Sequence, residues 1–309
     1  MEKNKVVITK QKIIEIADIL REIYQEEDKY TLDEIEKKIL NINKDMYKKM
    51  LVPWGTGTDK EITRILKLYY NGFLTLEDIQ TVWHIGDKRS ISLNAMPATY
   101  VNESHIAQTV ELQILDFDHD ELTTPINNKL KALISLDQKD CLRGANISDT
   151  EGSKNPEMGY INSTNDNSIG WTNSPRRKWC NEIYYNALPD YIKNSIKEVN
   201  KIVCQGGAPG IGVLEINPEK CFLLSPVELF GTGANTYYNN GEGNQYVLYQ
   251  TAGNRIKLPK WNSNYLSGTY WERSPCATKN QNYHRANVSA ANGDTSAATS
   301  LGIAPAMCL

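Results

Sequence analysis

At Trp83 the hydrophobic repeat changes from about 3.6 residues to two, and no other feature constrains the fold as strongly. Charge density changes at the same place. Residues 1–80 hold 14 basic and 15 acidic side chains, whereas residues 81–309 hold only 20 and 22. The front therefore reads as short helices with solvated faces. The back reads as a charge-poor region of strands and loops.

The helix signals are local and specific. Ile13, Ala17, Leu20 and Tyr24 repeat at helical spacing, with Ile16 and Ile23 widening the stripe. Thr31 with Glu34, and Thr58 with Glu61, are capping boxes, in which hydroxyl and carboxylate each satisfy a backbone N–H. Ile35, Ile39 and Leu40 follow the first box; Ile62, Ile65, Leu66 and Tyr69 follow the second, which ends at Asn71-Gly72. Thr75 caps a further short helix to about Val82.

Beyond Trp83, residues 90–93 and 109–115 alternate as strands do. Residues 174–202 return to helical spacing through Trp179, Ile183, Leu188, Ile192, Ile196 and Val199. Short strands are expected at 213–216 and 221–224, then long loops over 231–246 and 259–269. Two closing strands, 283–288 and 301–308, flank the turn signal Asn292-Gly293. The expected fold is α+β: a small helical region over 1–82 for attachment or oligomerisation, then a domain over 83–309.

Composition excludes several functions. A net charge of −3 gives no broad basic field for nucleic acid. No run of about 18 apolar residues predicts membrane insertion, and no signal peptide is visible, so assembly in a cytoplasm is expected. The six cysteines show no C-x-x-C pair and read as small buried hydrophobes. Gly207–Gly212 lacks the Gly-Lys-Ser/Thr of a phosphate loop, and neither a G-x-S-x-G elbow nor an H-E-x-x-H helix occurs.

Asp116–Glu121 carries alternate carboxylates like half of a calcium loop. Its sixth and twelfth positions are Glu121 and Asn127 instead of Gly and Glu. A structural strand end is expected there. His84, His105 and His284 have no second histidine at ligand spacing. Trp171, Trp179 and Trp271 read as core, and Glu272-Arg273 as a buried brace for the C-terminal hairpin. Neither catalytic residues nor a metal or cofactor is expected.

Residues 174–202, CFLLSPVELFG at 221–231, GEGNQY at 241–246, YWERSP at 270–275 and the closing GIAPAMCL together resemble a bacterial and phage domain family of the DUF6273 type. HIGDKRSISL at 84–93 and ILDFDHDELT at 114–123 resemble its N-terminal motifs. That family is similar to the C-type-lectin-like fold shared by formylglycine-generating enzymes and retroelement-diversified proteins. The front, IIEIADILREIYQEEDKYTLDEIEKKI, resembles segments of phage tail and baseplate proteins.

The resemblance implies a virion tail component, or one of a tail-derived particle. Residues 1–82 would join other tail or baseplate proteins, as a homo-oligomer with a trimer favoured. A lectin-like head would then bind a host-surface glycan or protein. Cys276 and Cys308 do not match the cysteine pair of the formylglycine-generating enzymes, and the lectin tripeptides Glu-Pro-Asn and Gln-Pro-Asp are absent. The alternatives are a structural baseplate or decoration protein and, third, an enzyme. The ligand surface is placed on Tyr265, Lys279, Asn280, Asn282, Tyr283, His284, Arg285, Asn287 and Asn292. Tyr283, Arg285 and Asn287 are expected outward, with Ala286 and Val288 inward and His284 at the rim.

Overall fold

A computed structural model describes residues 45–99, 104–143, 159–162, 164–206, 213–232, 241–257, 269–287 and 289–309. The chain divides into two units, Met1–Leu51 and Val52–Leu309. Of the first, only residues 45–51 are described, beginning with a single helical turn. The helices expected around Ile13–Tyr24 and Ile35–Leu40 lie outside the described residues.

The second unit opens with α1 (Asp59–Tyr70) and α2 (Leu76–Gln80), and both capping signals hold. Thr58 Oγ1 accepts from Glu61 N while Glu61 Oε2 accepts from Thr58 N; Thr75 and Asp78 repeat the arrangement. Helix α1 buries Ile62, Ile65, Leu66, Tyr69 and Tyr70. The expected boundary at 82/83 therefore falls inside this unit. Trp83 meets Trp54 edge-on at 5.3 Å, and its Nε1 donates to Val52 O. Arg89 on β1 (Lys88–Leu93) reaches back to Trp54 O, Gly57 O and Asp59 Oδ1. Charge density misplaced the boundary because the exposed faces of α1 carry the charges while its apolar face is core.

Strands β2 (Gln108–Phe117), β3 (Glu121–Ile126), β4 (Lys129–Lys131) and β5 (Ile134–Gln138) follow. A helical passage then runs from α3 (Pro175–Trp179) through a π-helical turn (Cys180–Tyr184) into α4 (Tyr185–Ala187). After α5 (Asp190–Lys193) comes β6 (Val199–Cys204), so the helical reading of 174–202 fails at its end. Ile196 and Val199 fit the helical period, but the β-branched run through Val203 pairs with β7 (Leu214–Glu219) instead. Next are β8 (Cys221–Phe222), α6 (Pro226–Phe230), β9 (Tyr270–Pro275), β10 (Asn282–Ala286), β11 (Asn292–Ser296) and β12 (Ala306–Cys308). Asn292-Gly293 thus begins a strand, pairing with Ala286 and Arg285, instead of forming the turn.

Among the described residues the strands form three sheets in the orders β1-β2-β5-β12-β8, β4-β3-β6-β7 and β11-β10-β9, with neighbouring strands antiparallel. The fold is α+β. Trp171, Trp179 and Trp271 are core as expected, and all six cysteines are buried and outside any disulfide.

Candidate ligand-binding site

The hairpin β10–β11 and the turn before it carry most of the residues expected to bind a ligand, and the structure sorts them. Lys279 and Asn280 are exposed; Asn282, Arg285, Asn287 and Asn292 are half-buried. Tyr283 and His284 are fully buried. Tyr265 and Val288 lie outside the described residues. The expected outward face of Tyr283 is therefore corrected. β10 is the central strand of its sheet, and a bulge between Tyr283 and Arg285 breaks the simple alternation. Tyr283 Oη donates to Gly170 O at 3.1 Å, inside the fold.

Several of the predicted ligand groups are occupied with local structure. Asn287 Oδ1 accepts from Ser289 N and Ala291 N and so caps its turn. Lys279 Nζ lies 2.7 Å from Asp294 Oδ1, which also receives Asn282 Nδ2. A residue that sequence reasoning missed fixes the preceding turn. Asn167 Nδ2 donates to Cys276 O at 3.0 Å, Lys279 O at 2.8 Å and Asn282 O at 2.9 Å. One asparagine in a polar stretch has no spacing signature to reveal it.

A second constellation lies in a cleft of about 180 Å³ lined by His119, Asp120, Lys201, Ile202, Ile216, Glu228 and Asn244, among others. Asp120 gathers four other segments: Lys201 Nζ at 2.5 Å, Ser135 Oγ at 2.5 Å, Tyr246 Oη at 2.8 Å and Cys308 Sγ at 3.3 Å all meet its carboxylate. Lys201 also pairs with Glu228, and Glu228 with Arg273. Burial would discharge these groups, but each is held charged by its partners. Lys201 and His119 keep the Asp120 carboxyl well below its usual range, Arg273 and Lys201 lower Glu228, and Asp120 and Glu228 raise Lys201. The signal for Lys201 was present in the sequence. It occupies an inward position between Val199 and Val203, where a lysine needs buried carboxylates.

The expected Glu272–Arg273 brace takes a different form, because Arg273 grips Glu228. Glu272 is fully buried, and neither of its oxygens has a hydrogen-bond partner among the described residues. Burial first, and then nearby Glu242, pushes its pKa up to about 8. Glu242 is likewise raised by burial. The Asp116 end of the predicted half-loop is structural: Oδ1 accepts from Phe117 N and Oδ2 from Val247 N. Among the described residues, no group of three or more His, Cys, Asp or Glu is placed to hold a metal ion. No described helix is long and apolar enough to cross a membrane.

Comparison with curated proteins finds no match, and comparison with solved structures finds none. The family described as "Domain of unknown function (DUF6273)" matches residues 142–309. The match is shorter at its front than the resemblance over 80–309: it includes Lys201, Glu228 and Arg273 and leaves out His119 and Asp120. Because it takes in more than half of the sequence, the chain belongs to the DUF6273 family.

Proposed function

We propose that the protein is a receptor-binding or fibre-tip component of a phage tail or tail-derived particle. Its C-terminal domain is of the C-type-lectin-like kind and recognises a host-surface glycan or protein; it is not an enzyme. The segment before residue 52 joins it to other tail or baseplate proteins, with a trimer as the favoured state and the virion tail as its location. The observation that carries this reading is the rigid polar display on the 276–296 hairpin. Asn167 pins its turn from beneath with three hydrogen bonds, while Lys279 and Asn280 face solvent. A pre-ordered polar surface loses little entropy on binding.

The second reading, a structural baseplate or decoration protein, draws support from exposed Val213, Leu214 and Ile216, since adjoining apolar side chains favour a protein interface. The two are separated with fluorescently labelled full-length protein and a panel of bacterial strains. Saturable adsorption is expected, falling at least tenfold in the triple variant Lys279→Ala, Asn280→Ala, Arg285→Ala at unchanged melting temperature. Adsorption unaltered by the triple substitution, or absent from every strain, would overturn the recognition reading.

A further inference from the structure

We propose that Lys201 and Asp120 condense into an intramolecular isopeptide bond, with Glu228 as the base that relays the proton. The inference goes beyond the recognition reading and does not depend on it. Nucleophile, carboxyl and base come from three places in the chain: Lys201 on β6, Asp120 just before β3, and Glu228 on α6. Lys201 Nζ lies 2.5 Å from Asp120 Oδ1 and also contacts Glu228 Oε1. A contact of that length leaves Nζ about 3–3.5 Å from the carboxyl carbon, the separation from which reacting atoms join. All three side chains are at most 4% exposed, so the group is shut off from the bulk water that would hydrolyse an amide.

The division of tasks between the two oxygens of Asp120 sets this group apart from an ordinary buried ion pair. Oδ2 takes three donors, from Ser135 Oγ at 2.5 Å, Tyr246 Oη at 2.8 Å and Cys308 Sγ at 3.3 Å. Donors gathered in this way stabilise the negative charge that an attacked carboxyl places on one oxygen. Oδ1 faces the amine, with His119 Nδ1 3.5 Å away, and is the oxygen that leaves. Glu228 Oε2 is anchored by Arg273 Nη1 and Ser225 N, which turns Oε1 toward Nζ. A carboxylate is thereby fixed at the nitrogen that must lose protons.

From the resting ion pair, one ammonium proton passes along the hydrogen bond to Oδ1, which leaves a neutral amine and a neutral acid. The amine lone pair then attacks Cγ while Glu228 takes a second proton, and charge gathers on Oδ2. As the Cγ–Oδ1 bond breaks, Glu228 returns that proton and Oδ1 departs as water. The third proton stays on the amide nitrogen. Asp120, Glu228, Lys201 and Arg273 carry two charges of each sign; condensation removes one of each and leaves Glu228 with Arg273. Burial favours that change, because it disfavours the charged forms. The adjoining cleft of about 180 Å³ has room for the released water. Reactants fixed in place act at effective concentrations of roughly 10⁵–10⁸ M, which opposes the tendency of amides to hydrolyse. The bond closes a loop between positions 81 residues apart and restrains the unfolded chain as a disulfide of that span would.

The test is mass spectrometry of the purified full chain, denatured once its mass has become constant. The intact mass is expected one water below that of the sequence. Trypsin should then leave Lys201 uncut and release residues 90–129 joined to residues 198–220, with fragment ions placing the link at Asp120 and Lys201. Lys201→Arg should restore the full mass. Glu228→Gln cannot take up the proton and should carry at least tenfold less of the link after identical expression. The wild-type measurement needs no variant, so the test holds even if Glu228→Gln fails to fold. An unreduced mass, complete cleavage after Lys201, or a link from Lys201 to residues 221–255, which contain Glu228, would overturn the proposal. Full linkage in Glu228→Gln would overturn it as well.

Discussion

Arg273 on β9 grips Glu228 on α6 with both arms of its guanidinium, Nη1 2.5 Å from Oε2 and Nη2 3.1 Å from Oε1, with neither residue exposed. Glu228 also closes the capping box of α6 through Ser225 N. Removing one member of such a pair strands a buried charge, which costs about 3–5 kcal/mol. Arg273→Met should cost this much in urea unfolding. Adding Glu228→Gln to it should recover part of the loss, because the buried carboxylate left with Lys201 alone is then gone. Strictly additive losses would show that the two side chains are not coupled.

The brace at Arg89 predicts where the domain can be cut. Its guanidinium serves Trp54 O, Gly57 O, Asp59 Oδ1 and Tyr191 Oη at once. A fragment beginning at residue 84 loses Trp54, Trp83 and helix α1. It should be insoluble or should melt without cooperativity, whereas residues 52–309 should unfold in one transition. Arg89→Lys should behave nearly as badly as Arg89→Ala, since an ammonium cannot span four acceptors. A cooperative melt from 84–309 would contradict this account.

Glu272 makes stability depend on pH in the direction opposite to a surface carboxylate. Its folded pKa of about 8 lies above the ordinary 4.5, so the native state holds the proton more tightly than the unfolded chain. Stability from this group is full below pH 4.5 and is lost as pH rises to about 8, with a slope of up to about 1.4 kcal/mol per pH unit. Glu272→Gln should flatten that slope in urea titrations across the same window. An unchanged slope would assign the pH dependence elsewhere.

Tyr283 separates packing from recognition. Tyr283→Phe loses only the bond to Gly170 O and should cost about 1 kcal/mol. Tyr283→Ala empties a fully buried site and should cost about 3–5 kcal/mol, read as a fall in the denaturant midpoint. Equal losses in the two variants would mean that the ring is not packed.

What the sequence disclosed follows from how local each signal is. The box at Thr58–Glu61 and the cap at Thr75 are signals confined to a few residues, and both helices start where those residues say. Val199 was ambiguous because a short apolar run fits both periods, and the pairing with Glu219 that decides it lies in another segment. Asn292-Gly293 carries the chemistry of a tight turn, yet Asn287, accepting from Ser289 N and Ala291 N, closes the chain earlier and makes that pair a strand start. The His119 cleft was least legible. His119 and Asp120 are adjacent, but Lys201, Glu228 and Tyr246 reach them only through folding, and among these only Lys201, inward between Val199 and Val203, carries a signal of its own.

The position of β12 bears on how the protein is made. Ala306–Cys308 lies between β5 and β8, pairing with Leu136 on one side and Cys221 on the other through Met307. Ribosomes add roughly 5–20 residues per second, so β5 emerges roughly 10–30 s before the strand that covers its edge. During that interval the strand edges that β12 will cover present unpaired backbone groups to every nascent chain nearby. Yield in a fast expression host should therefore be governed by chaperone capacity at the ribosome, and slower synthesis at low temperature should favour the folded product over inclusion bodies.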